Sequence, residues 1–173
     1  YNFFIFSCYE LNMIHADPNP GNFIITPENK LAIIDFGCVK VIPKEYYHKH
    51  FKMLDPDLLA DKAKVEEFFY EVGFLHQGDT PEEKTLFTDI FTRLLTVTTR
   101  PMLDEEFDFS DKEYFEKMYA LGEVLAKEKV FRNSKKARGS ADAIYLNRAY
   151  FGLFLLLHQL KVKVKTKVSV NEN

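Results

Sequence analysis

The chain has 173 residues, 46% hydrophobic and 28% charged, with a formal net charge of −3. This is ordinary globular usage for one domain with its own core; it excludes a disordered chain and gives no reason to expect nucleic acid as a partner. Two cysteines, Cys8 and Cys38, cannot build a disulfide framework, so a reduced, cytosolic environment is expected, and the longest strongly apolar run (149–157) is about half of what a membrane span requires.

The first residue is Tyr1 rather than methionine, with no basic leader or cleavage site, and it opens directly onto an apolar stretch. The reading is of a piece whose beginning lies elsewhere. Residues 1–14 are apolar on most faces (Phe3, Phe4, Ile5, Phe6, Leu11, Met13), which predicts a buried helix. Asn12 suits a left-handed residue near its end, and Pro18 and Pro20 forbid continuation. A proline-rich loop occupies residues 15–22. Two short apolar runs, at 23–25 and 31–34, flank Thr26-Pro27-Glu28-Asn29-Lys30, which has the composition of a hairpin turn. The second run is continuously apolar, so that strand is expected to be buried on both sides, and it ends at Asp35-Phe36-Gly37. After Gly37 the chain moves to Pro43 and further helix.

Asp55-Pro56 then signals a helix reaching about residue 75, with Phe68, Phe69 and Val72 inward. Thr80 with Glu83, and Ser110 with Glu113, match capping boxes opening helices over 81–99 and 111–131. Residues 132–140 read as a basic loop, and a last apolar helix is expected over Ala141–Leu160. The alternating Lys and Val from Lys161 suit an edge strand or a frayed tail. The fold class is α+β, mostly α: one small hairpin on the edge of a helical body.

His15-Ala16-Asp17, then Asn22, then Asp35-Phe36-Gly37 carry the chemistry. Phosphoryl transfer needs a carboxylate that positions or accepts the proton of the nucleophile, and oxygen ligands that hold magnesium against the phosphates. Magnesium keeps several waters, so one carboxylate and one amide oxygen are a reasonable share for the protein. Kinases supply these groups as H-x-D, four residues, N, and later D-F-G; here His15 and Asp17 are followed by four residues and Asn22, and a hairpin leads to Asp35-Phe36-Gly37. Two blander readings compete. Asp17 and Asn22 could simply cap backbone amides in a proline-rich turn. Asp17, Asn19 and Glu28 also fall at calcium-loop positions, but the prolines and the following apolar run argue against an EF-hand.

His15-Ala16-Asp17-Pro18-Asn19-Pro20-Gly21-Asn22 resembles the H-A-D-P-H-P-G-N signature of the UbiB/AarF atypical kinases, and Arg148 through Gly152-Leu153 resembles that family's R-x-x-x-G-L segment. The resemblance implies a protein-kinase-like C-terminal lobe over 1–160, with a hairpin carrying the two loops and a tail over 161–173. It implies ATP and Mg2+ as cofactors. Asp17 would be the catalytic-loop aspartate, Asn22 and Asp35 the metal ligands, His15 a buttress between the loops, and Gly37 the residue that permits the turn after Asp35. It further implies an unknown acceptor in quinone or isoprenoid-lipid metabolism, and a cytoplasmic protein whose membrane association, if any, comes through other segments or partners. Asn19 replaces the family's second loop histidine. The chain has no G-x-G-x-x-G, no V-A-I-K-like lysine and no K-x-G-Q, so the N-terminal lobe is missing and the chain alone is expected to be inactive. A small-molecule phosphotransferase of the aminoglycoside or choline kinase kind is the enzymatic rival; a non-catalytic pseudokinase module is the other.

The remaining polar features have bland readings. Cys38 is expected to be a small buried thiol and His48 and His50 solvated surface groups. Arg148 is equally an internal ion-pair partner or a cation reaching solvent, and the basic run 132–138 is expected to be solvated.

Overall fold

A computed structural model describes residues 1–127 and 137–168, and these are mixed α and β, mostly helical. Helix α1 (Asn2–Tyr9) stops well short of residue 14. Asn12 does adopt the left-handed conformation, at φ 51°, but it turns the chain into an extended strand, β1 (Met13–His15). That strand pairs antiparallel with β4 (Val39–Val41), Ile14 opposite Lys40. Between them lie a 3-10 turn (Pro20–Asn22) and the expected hairpin of β2 (Phe23–Ile25) and β3 (Leu31–Ile33). Strand β3 is not buried on both sides: Leu31 is 50% and the following Ile34 59% exposed. A two-stranded ribbon has one partner strand only, and continuous apolarity does not by itself supply the second layer that covers a central strand.

Helix α2 (Lys44–Lys52) follows Pro43. The helix expected from Asp55 is two helices, α3 (Pro56–Ala60) and α4 (Lys62–Glu71). Asp61 separates them because its backbone is extended (φ −116°, ψ 109°) and its carboxylate accepts the amides of Ala63 and Lys64, the N-cap role in which Asp competes with helix continuation. Gly73, at φ 76°, ends the turn after α4.

Helix α5 (Pro81–Leu103) opens with the expected capping box, Thr80 and Glu83 satisfying each other's backbone amides. It runs past residue 99 and through Pro101. A proline there deprives the Val97 carbonyl of its helical donor. The Tyr114 hydroxyl supplies the missing bond at 2.9 Å, from the neighbouring helix α6 (Lys112–Lys127). The cap of α6 differs from the expected box: Ser110 donates its hydroxyl to Asp108, and Asp111 accepts the Tyr114 amide. The expected end of this helix lies outside the described residues.

The last helix, α7 (Ala141–Leu160), has the boundaries its sequence implies, with Ser140 as N-cap and Lys161 at φ 51° beyond its end. Of the two readings of the Lys/Val alternation, the edge strand holds for β6 (Lys163–Lys165), which pairs with β5 (Glu106–Asp108). Thr166 is fully buried and its carbonyl accepts the Tyr1 hydroxyl at 2.6 Å.

Two apolar clusters hold these elements. One gathers Phe4, Cys8, Ile14, Tyr150 and Phe154 around α7; the other gathers Val65, Phe69, Phe87, Leu95 and Leu121 between α4, α5 and α6. Each fully buried phenylalanine contributes roughly 1.5–3 kcal/mol through removal of apolar area from water. Two polar expectations are corrected. His50 is buried and stacked on Tyr150, because the aromatic side of α2 faces α7; the side chain of His48 lies outside the described residues. Most of the basic run is also outside them, but Arg138 is no solvated charge. It makes a two-pronged ion pair with Asp79 (2.6 and 2.8 Å), donates to the Phe74 carbonyl and lies 3.7 Å over the Phe87 ring.

Candidate functional site

The two loops that carry the motif are stitched together by their backbones. Because β1 pairs with β4, the residues following one strand meet those preceding the other. The Ala16 amide donates to the Cys38 carbonyl at 2.8 Å, and the Ile34 amide donates to the Asn22 carbonyl at 3.1 Å. His15 adds a third link, its Nε2 lying 2.5 Å from the Asp35 carbonyl oxygen. Its Nδ1 accepts the Asp17 amide at 3.4 Å. A carbonyl oxygen can only accept, so His15 Nε2 carries the proton donated to Asp35. The ring is buried beside Phe23 and Phe36.

Asp17 is half-buried, and Asn22 holds it: the Asn22 amide nitrogen donates to the Asp17 carbonyl and to Oδ2, both at 3.1 Å. Both protons of that amide are thereby used, which leaves Asn22 Oδ1 as an acceptor for something else. Asn19, in place of the histidine of the signature, caps the 3-10 turn by accepting the Gly21 amide at 2.9 Å. Asp35 is exposed; its Oδ1 accepts the Gly37 amide at 2.7 Å, and its Oδ2 has no partner among the described residues. A methyl group on Gly37 would lie 3.1 Å from that Oδ1, a tight approach to the carboxylate.

The structure therefore brings His15, Asp17, Asn22, Asp35 and Gly37 into one hydrogen-bonded unit. No group of three or more His, Cys, Asp or Glu side chains forms a metal cage among the described residues. One carboxylate oxygen and one amide oxygen nonetheless suit a hard cation that keeps several waters. Calcium of the EF-hand kind has no support, since Asn19 is engaged as a cap and an extended strand follows at Phe23. The β1–β4 pair and its backbone links had no motif of their own; the one local sign was Asn12, whose left-handed backbone reverses the chain.

Other singled-out residues fall outside this unit. Cys38 is half-buried and is not sealed in the core as expected; its carbonyl accepts the Ala16 amide. Arg148 is exposed and makes no ion pair among the described residues, so its internal-pair reading fails. Around the motif, Ile25, Ile34 and Phe36 are exposed apolar side chains. No helix among the described residues is long and apolar enough to cross a membrane.

Residues 1–69 match the family model of the ABC1 atypical kinase-like domain. The chain is 20% identical over 173 residues to the probable serine/threonine-protein kinase abkA of Dictyostelium discoideum, covering 94% of this chain and 29% of that protein. It is 24% identical over 155 residues to the mitochondrial atypical kinase COQ8 of Saccharomyces cerevisiae, covering 87% of this chain and 29% of that protein. A stretch of 36 residues is 50% identical to the chloroplastic protein ACTIVITY OF BC1 COMPLEX KINASE 3 of Arabidopsis thaliana, covering 21% of this chain and 5% of that protein. The chain thus spans less than a third of the length of these relatives. The resemblance to the UbiB/AarF type is upheld by the match of residues 1–69 to the ABC1 atypical kinase-like domain and by these relatives.

Proposed function

We propose that the full-length protein is a Mg·ATP-dependent phosphotransferase or ATPase of the UbiB/AarF type. The observation that carries this reading is the joining of the Asp17 loop to the Asp35 loop through His15 and Asn22. In this reading Asp17 receives the proton of the attacking hydroxyl or water as that oxygen bonds to the γ-phosphorus and the bond to ADP breaks. Asn22 Oδ1 and the Asp35 carboxylate would hold magnesium, which would supply neutralisation of phosphate charge. His15 and Gly37 keep Asp35 in register with Asp17. The exposed Ile25, Ile34 and Phe36 are suited to cover by a second lobe, so the 173-residue chain on its own is expected to be inactive. An acceptor in quinone or isoprenoid-lipid metabolism is the substrate class proposed. Relatives named mitochondrial and chloroplastic make an organelle the competitor to a cytoplasmic location, a choice that fractionation of the tagged protein decides.

The test is ATP binding and hydrolysis by the full-length protein beside its Asp35→Asn variant, with and without magnesium. Hydrolysis lost in the variant supports the reading. Nucleotide binding without hydrolysis, equal in both proteins, would replace it with a pseudokinase module. Robust turnover of aminoglycosides or amino alcohols would favour the small-molecule phosphotransferase.

A further inference from the structure

Helix α7 passes directly under the catalytic loop, and the contact point is a glycine. A methyl group on Gly152 would lie 2.2 Å from Cγ, 3.1 Å from Cδ and 3.5 Å from Cβ of Pro18. The first distance is far inside van der Waals contact, so the ring of Pro18 occupies the space a side chain at 152 would take. Pro18 is the residue after Asp17, and the carbonyl joining them is the one that accepts the Asn22 amide.

We propose that Gly152 is a positioning residue for Asp17: the bare backbone of α7 at this point is the seat on which the catalytic loop rests. The proposal rests on the phosphotransfer reading of Asp17. Neither surface in this contact can yield cheaply. Tyr150 and Phe154, on either side of Gly152, are fully buried, and His158 on the same helix stacks on Phe115 and reaches the Phe109 carbonyl at 2.6 Å. The pyrrolidine ring fixes its own backbone angle, so it cannot rotate away as a flexible side chain would. A side chain at 152 therefore pushes the loop, and the displacement passes through the Asp17 carbonyl to the carboxylate that Asn22 steadies.

A shift of about 1 Å at a reacting group costs on the order of 100-fold in rate. In the full-length protein, Gly152→Ala is expected to lower kcat for Mg·ATP turnover about 100-fold, with a smaller change in KM, and to shift the backbone amide resonances of Asp17 and Asn22. Pro18→Ala removes Cγ and Cδ and leaves only the 3.5 Å contact. The Pro18→Ala/Gly152→Ala double variant should therefore return close to the kcat and amide shifts of Pro18→Ala alone. Gly122→Ala, at an exposed position of α6 with nothing within 4 Å, is the control and should leave turnover unchanged.

If the wild-type protein turns over no ATP, the functional reading fails and the amide shifts alone decide whether Gly152 seats the loop. Gly152→Ala with unmoved Asp17 and Asn22 resonances would overturn the proposal. So would a double variant as impaired as Gly152→Ala, since the loss would then come from the helix itself.

Discussion

Replacing Arg138 with methionine is expected to destabilise the fold by about 3–5 kcal/mol, the range for removing one partner of a buried ion pair. The pair qualifies as buried: the side chains of Arg138 and Asp79 are 4% and 1% exposed. Both oxygens of Asp79 are engaged by the guanidinium, and Oδ2 also accepts the His76 amide. Methionine would leave that carboxylate without its cation, vacate the bond to the Phe74 carbonyl and remove the stack on Phe87. One feature favours the lower half of the range, since Arg138 Nε is buried without a hydrogen-bond partner among the described residues and the native pair is incompletely satisfied there. For a chain of this size the cost corresponds to a fall in Tm of roughly 6–20 °C. Urea and thermal unfolding followed by circular dichroism would measure it. The double variant Asp79→Leu/Arg138→Met removes both charges and should recover most of the loss, because an apolar pair has no uncompensated charge to bury. A single Arg138→Met cost below about 1 kcal/mol, the scale of an exposed ion pair, would refute the argument that this contact clamps the segment before α7 onto the turn between α4 and α5.

Two further outcomes follow from other contacts. Tyr114→Phe removes the donor that serves the Val97 carbonyl opposite Pro101, and should cost about 1–3 kcal/mol in urea unfolding; an added Pro101→Ala change should recover part of this by restoring the helical donor. Burial pushes the His50 imidazole down to about 3 from its ordinary 6.5. The unfolded chain therefore binds one more proton between these values, so His50 contributes stability that is intact above pH 6.5 and is lost as pH falls toward 3, with a slope of up to about 1.4 kcal/mol per pH unit. His50→Phe, which keeps an aromatic ring against Tyr150, should reduce the slope of unfolding free energy against pH in that window; an unchanged slope would remove His50 as its source.

Much of the local architecture was legible because its causes lie within a few residues. Asn29, at φ 60°, and the Thr26–Lys30 hydrogen bond close the β2–β3 turn from inside the turn itself. Thr80 and Glu83 cap α5 across one helical turn, and the polar Ser140 and Lys161 bracket an apolar run that becomes α7. Where two local signals competed, a hydrogen bond within three residues marks which one prevailed. Asp61 could be a solvated helix residue or a cap, and it became a cap; Ser110 could cap α6, but Asp111 took that role while Ser110 bonded to Asp108.

The sequence by itself determined the resemblance to the atypical kinases and the residues of the candidate site, since His15, Asp17, Asn22, Asp35 and Gly37 lie at recognisable spacings. Only the tertiary structure decided how they meet. The β1–β4 and β5–β6 pairs, the burial of His50, the Arg138–Asp79 pair and the seat of Pro18 on Gly152 each join residues far apart in the chain. Helix and turn signals act through hydrogen bonds between residues about four apart, and so leave a periodic trace in the sequence. A strand's partner, a charge's burial and a glycine's neighbour depend on which distant surface is packed against them, for which a single sequence carries no spacing rule.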